Sequence, residues 1–104
     1  MANTVIGSTI VIDGEITGDE DLVVEGTVKG RVALSQNIHV EENGVLEANV
    51  ETATITVFGT VTGDIAAGER AELKSQCRVV GDIRAPRVLI ADGAQFKGNV
   101  DMDG

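Results

Sequence analysis

Val57-Phe58-Gly59-Thr60-Val61-Thr62-Gly63-Asp64-Ile65 decides how this chain folds. Thr60, Thr62 and Asp64 alternate with Val61, Gly63 and Ile65. Alternation over so few residues marks a short strand with one apolar face, and glycine marks places where the backbone turns. The closing triplet recurs as Gly14-Glu15-Ile16, Gly30-Arg31-Val32, Ala48-Asn49-Val50, Gly63-Asp64-Ile65, Gly81-Asp82-Ile83 and Gly98-Asn99-Val100. Its spacings are 16, 18, 15, 18 and 17 residues. A second series, Val28, Leu46, Val61, Val79 and Phe96, keeps nearly the same rhythm. A third pairs aliphatics across one residue: Leu22/Val24, Ile38/Val40, Ile55/Val57, a weak Leu73/Ser75, and Val88/Ile90.

Three short strands per repeat of about 17 residues describe a three-sided coil, with alternate side chains inward and outward. The expected fold is all-β, a single-stranded, three-sided parallel β-helix (a β-solenoid) of about six rungs. At about 4.8 Å per rung it would stand about 29 Å tall. Each inward Val, Ile or Leu contributes about 1.5–3 kcal/mol when another rung covers it. The two end rungs lack that cover on one side, so they must be capped or must stack on another molecule. About eight residues precede the first clear rung and Asp101-Met102-Asp103-Gly104 follow Val100, too few for a capping helix. The reading is residues 1–8 as a short N-terminal tail, 9–102 as the β-helix core and 103–104 as the C-terminal end.

Composition agrees. Of 104 residues 42% are apolar, yet Phe58 and Phe96 are the only aromatics, and 13 are glycine. Small β-branched side chains with frequent glycine suit many thin layers better than one thick core. The formal charge of −9 repels phosphate backbones and argues against nucleic acid as a partner. No apolar run reaches the length of a membrane span, and Met1–Ile6 lacks the basic and apolar regions of a secretory signal. A lone Cys77 forms no internal disulfide, which makes the cytoplasm the expected compartment.

The segments Gly18–Gly30, Val57–Ile65, Val80–Pro86 and Ile90–Gly98 resemble the bactofilin pattern, and the likeness covers residues 9 to 102. The resemblance implies a right-handed helix whose subunits join through their end rungs into non-polar filaments, without nucleotide or metal. It implies a cytoskeletal scaffold for cell-wall, polarity or chromosome-segregation proteins, at the inner face of the membrane, with paralogous bactofilins as further partners. The family's membrane-targeting element is a short apolar N-terminal stretch. Its counterpart is Met1–Ile6, where Val5 and Ile6 are the strongly apolar pair. Such an element binds weakly alone and gains from repetition along a filament. Many relatives carry long tails around the core; this chain is nearly all core.

Phe96 closes the inward series near one end, and the family keeps an aromatic there, so it is the first candidate for the polymerisation interface. Val100 and Met102 join it, with Ile10 and Ile12 at the opposite end. The competing reading of Phe96 is an ordinary core side chain. Phe58 alternates outward, as do Val23 and Leu89, giving candidate lateral or partner contacts, although single exposed apolar residues are common. His39 should face solvent beside Ile38 and Val40, and Cys77, in phase with Val79, should be a buried small hydrophobe. Asp19-Glu20-Asp21, Glu41-Glu42 and Asp101/Asp103 lack calcium-loop spacing and read as solvated corners. Gly26-Thr27-Val28-Lys29-Gly30 lacks the ending and the helix of a phosphate loop. With one histidine, no nucleophile–base pair can be assembled, so neither catalysis nor a cofactor is expected.

The strongest rival is a left-handed hexapeptide β-helix of the acyltransferase type. Ile10, Ile16, Leu22, Val28, Leu34, Val40 and Leu46 keep a six-residue register, but Thr52 and Phe58 break it. An ice-binding solenoid would need pairs such as Thr54/Thr56 and Thr60/Thr62 stacked along one face, where Glu, His, Lys and Arg stand instead. The third alternative is a solenoid adaptor that does not polymerise.

Overall fold

A computed structural model describes residues 3–101, with side chains from Val5 onward. The chain runs through β1 (Asn3–Ile6), β2 (Val11–Gly18), β3 (Asp21–Val24), β4 (Thr27–Leu34), β5 (Asn37–Val40) and β6 (Val45–Val57). It continues through β7 (Thr60–Thr62), β8 (Ile65–Leu73), β9 (Arg78–Arg84), β10 (Val88–Ile90) and β11 (Gln95–Asp101). Every strand pairing is parallel. All eleven strands form one sheet wound into a β-solenoid of six rungs.

The pairing register resolves three sides. Side A stacks β1, β3, β5, the end of β6, the end of β8, and β10. Side B stacks the first residues of β2, β4 and β6, then β7 and the first residues of β9 and β11. Side C continues β2, β4, β6, β9 and β11 past a bend, with the start of β8 supplying the fourth rung. The bend between B and C is the recurring Gly triplet. Gly30, Gly63, Gly81 and Gly98 have φ of 116°, 126°, 134° and 142°. A Cβ on Gly30 or Gly81 would lie 2.0 Å from the carbonyl oxygen of the glycine one rung earlier. The column is closed to any side chain there. Ala48 alone departs from it: it lacks the positive φ, and its methyl is buried.

The uneven repeat spacing has a local cause at the corner between sides A and B. Gly7–Ile10, Glu41–Gly44, Lys74–Cys77 and Ala91–Ala94 are four-residue turns, each closed by an N–H of the fourth residue donating to the carbonyl of the first at 2.8–3.3 Å. Glu25-Gly26 and Phe58-Gly59 turn the same corner in two residues. Those short corners nest against the turn before them: a Cβ on Gly59 would lie 2.2 Å from the Glu41 oxygen and 2.5 Å from that of Gly44. A short corner removes two residues from its rung and a long one restores them. A strict six-residue repeat has no place for this variation, so the hexapeptide rival fails on corner length.

Inward positions fill the interior with Leu22, Val24, Val28, Val32, Ile38, Val40, Leu46, Val50, Ile55, Val57, Val61, Ile65, Leu73, Val79 and Ile83, all buried. Cys77 is buried in the same stack, as its phase implied. Buried Thr52 satisfies its hydroxyl by donating to the Gln36 carbonyl. The largest extent of the molecule is 31 Å.

Two expectations need correction. Residues 1–8 are not a tail throughout, because Asn3–Ile6 pairs with Asp21–Val24 and supplies side A of the first rung. Thr4 takes the register position of Leu22, and that polar residue hid the first member of the paired-aliphatic series. The fifth member is Ala71/Leu73 rather than Leu73/Ser75. Ala71 and Leu73 align with Ile55 and Val57 after a register shift beyond Thr52, and Ser75 belongs to a turn.

Candidate functional site: the two ends of the solenoid

The large hydrophobic side chains that remain exposed are not scattered. They are Val5, Ile10 and Val11 in the first rung, Val80 in the fifth, and Leu89, Ile90 and Val100 in the sixth. Among the described residues, the second, third and fourth rungs contribute none. The contrast is sharpest within single columns. Leu73 is 1% exposed, whereas Ile90, stacked on it, is 51% exposed because none of the described residues forms a rung above it. Val100 stacks likewise on Ile83, and Phe96 on Val79. Phe96, Val88, Ile12 and Ile16 are only partly buried against the core cluster. Among the described residues, β1 and β2 at one edge pair only with β3 and β4, and β10 and β11 at the other only with β8 and β9. Backbone N–H and C=O groups therefore line the rim of each end, a template for another strand.

The candidate interface residues fall on these ends. Phe96 and Val100 lie at the C-terminal end and Ile10 and Ile12 at the N-terminal end, while Met102 lies outside the described residues. Val11, 67% exposed, and Ile90 belong with them and were not singled out from the sequence. Ile90 was legible as the last member of an inward series. Val11 sits out of phase with Ile12 and carried no signal of its own.

The proposed membrane pair is split by its strand. Val5 is 55% exposed, but Ile6 is 3% exposed, aligned with Val24 and turned into the core. Ile6 therefore has no side chain free for a lipid surface, because alternation places neighbours on opposite sides. Val5 instead shares an outward column with Val23, His39, Thr56, Glu72 and Leu89. Val5 and Val23 form an apolar pair at one end of side A, and Leu89 stands alone at the other. Phe58 faces outward at the neighbouring corner, its ring 4.9 Å from that of His39 at a 41° tilt. His39 Nε2 lies 3.0 Å from Glu41 Oε1.

The acidic corners have structural work. Asp19 accepts a hydrogen bond from the Ser35 hydroxyl at 3.0 Å, and Asp21 one from the Asn37 N–H at 3.2 Å. On the outer faces Lys29 lies 3.7 Å from Glu47, Arg31 3.7 Å from Glu51, and Arg84 3.7 Å from Asp101. Glu72 draws in both Arg70 and Lys74 and lies 3.4 Å from the Thr56 hydroxyl. Burial pushes the Cys77 thiol above its ordinary pKa. The described residues hold no group of three or more His, Cys, Asp or Glu placed to share a metal ion. A concavity follows side C, lined in part by Arg31, Asn49, Asp64, Asp82, Arg84 and Asn99. These are surface groups with no histidine or cysteine among them. No helix of the described residues is long and apolar enough to cross a membrane.

Comparison with known proteins places the chain in a family. The family model described as "Bactofilin: Polymer-forming cytoskeletal" matches residues 4–101. Bactofilin BacO of Myxococcus xanthus (strain DK1622) is 66% identical over 103 residues, covering 99% of this chain and 82% of its own. Bactofilin BacP of the same organism is 54% identical over 100 residues, 96% of this chain but 42% of BacP. Bactofilin BacN, also from that strain, is 42% identical over 99 residues, 95% of this chain and 88% of BacN. No solved structure matches. A six-rung solenoid with uncovered ends, matched along its length by the family model, identifies this chain as a member of the bactofilin family of polymer-forming cytoskeletal proteins.

Proposed function

We infer that the chain is a cytoskeletal scaffold that assembles end to end, without nucleotide, into non-polar filaments. The observation carrying this reading is the confinement of exposed large hydrophobics to the first, fifth and sixth rungs, where another rung would cover most of them. Stacking continues the inward columns, covering Phe96, Ile90 and Val100 at one end and Ile12 at the other, where it also shields Ile10 at the corner and Val11 on the rim. It also pairs the open backbone edges. Joining like end to like end follows the family resemblance. So do the cargo, which would be proteins of the cell wall, of polarity or of chromosome segregation, and copolymers with paralogous bactofilins. No catalytic role or cofactor belongs to this reading.

Outward side chains stay free to hold cargo, with Phe58, Val23 and, on the last rung, Leu89 as the apolar points on or beside side A. Any membrane contact rests on Val5, repeated along the filament, rather than on a Val5/Ile6 pair. High-speed sedimentation tests the end contact. Phe96→Arg should keep the β-sheet circular dichroism of the native protein yet stay in the supernatant. A folded Phe96→Arg chain that pellets as the native one does would remove Phe96 from the interface. Liposome flotation of native and Val5→Asn protein, with equal recovery, would likewise remove the membrane contact.

A further inference from the structure

The two ends differ in charge as sharply as they agree in exposing apolar side chains. Residues 3–36, the first two rungs, hold six carboxylates against Lys29 and Arg31. Residues 70–101, the last two, hold four carboxylates against Arg70, Lys74, Arg78, Arg84, Arg87 and Lys97. The ion pairs deepen the imbalance. Lys29 and Arg31 lie in register with Asp13 and Glu15 of the end rung, yet their recorded partners are Glu47 and Glu51 of the third rung. Among the described residues Asp13 and Glu15 are in no ion pair. At the opposite end Asp101 is met by Arg84.

This inference rests on the end-to-end reading above. In a like-ended filament, each N-end contact sets Asp13, Glu15 and the acids of the second rung against the same set on the next copy. With strands about 4.8 Å apart, those second-rung acids face each other across about three spacings, roughly 14 Å. That lies well inside the screening length of about 30 Å at 0.01 M salt and beyond the 10 Å or so at 0.1 M. Each C-end contact instead joins two surfaces whose charges are nearly balanced or mildly cationic. We propose that the two junctions are unequal: C-end contacts form first and hold at low salt, whereas N-end contacts close only when salt screens Asp13, Glu15 and their neighbours. Ionic strength then sets filament length through one junction, with C-end dimers as the unit that adds.

Blocking one end at a time separates the junctions. Phe96→Gln leaves the N end to dimerise, and Ile12→Gln leaves the C end. Thermal melts confirm that both fold, and analytical ultracentrifugation follows each from about 10 mM to about 300 mM NaCl. The N-end dimer of Phe96→Gln should tighten about ten-fold or more across that range. The C-end dimer of Ile12→Gln should change little. Asp13→Asn/Glu15→Gln in the otherwise native chain should form long filaments even at low salt, a readout independent of the blocked variants. Equal salt response at both ends, or salt that loosens the N-end dimer, overturns the inference while leaving end-to-end assembly intact. Native filaments with neither blocked variant dimerising would mean head-to-tail joining, which overturns it too. A native chain that is monomeric at every salt concentration refutes the end-to-end reading itself.

Discussion

The third and sixth rungs are built to one pattern and behave as different materials. Leu46 and Phe96 lie in the same inward column, as do Val50 and Val100, and the backbone turns at equivalent corners. Leu46 and Val50 are sealed, while Phe96 is partly open and Val100 is exposed. The difference comes from position alone, since a solenoid layer completes its core only through its neighbours. One design is thus a sealed core in the middle of the molecule and an uncovered apolar surface at its ends. On the end-to-end reading proposed above, polymerisation needs no dedicated binding device beyond an uncovered last layer.

That comparison is most severely strained by putting a charge in a middle rung. Leu46→Asp would bury a carboxylate with no partner and should unfold the chain, with loss of the β-sheet circular dichroism at 25 °C. A folded Leu46→Asp protein would mean that the third rung is not sealed. Smaller truncations sharpen the contrast within one side. In a Phe96→Arg background that blocks assembly, Ile55→Ala should cost about 2–5 kcal/mol in urea unfolding. Ile90→Ala, half exposed already, should cost about 1 kcal/mol or less. Equal losses would erase the distinction between middle and end.

The gentlest probe is Cys77, buried at the end of the Lys74–Cys77 turn. Its thiol pKa is raised by burial, so the folded state holds the proton more tightly than the unfolded chain. This contribution is fully present below the unfolded thiol pKa, about 8.5, and is lost as pH rises through the higher folded value. Stability measured from pH 7 to 10 should therefore decline, and Cys77→Ala should decline less steeply. Parallel curves would show that the thiol does not contribute.

Much of this was legible in the sequence because a solenoid writes its third dimension linearly. Gly30, Gly63, Gly81 and Gly98 mark the bends since a Cβ there would strike the rung before, and Val28, Leu46, Val61 and Val79 mark one interior wall. The first strand escaped notice because Thr4 broke the paired-aliphatic signal that Ile6 completes. The fifth pair was misplaced because Ala71 is too small to stand out and a shift after Thr52 moved the register. The two corner lengths leave only irregular spacing in the sequence. Their cause, the nesting of Gly59 against the Glu41–Gly44 turn, is a contact between rungs. The site was legible in kind but not in full: open ends follow from the repeat, yet Val11 gave no warning, and Ile6 reads as apolar without revealing which way it points.

Electron microscopy of the purified native chain, with no nucleotide or metal added, tests the central claim most directly. The account predicts filaments one solenoid wide, with subunits spaced about 29 Å along the axis, six rungs of about 4.8 Å, and a repeat of two subunits because alternate copies are flipped. Particles that remain single solenoids at high protein concentration and moderate salt would contradict it, because uncovered end rungs would then be stable in water by themselves.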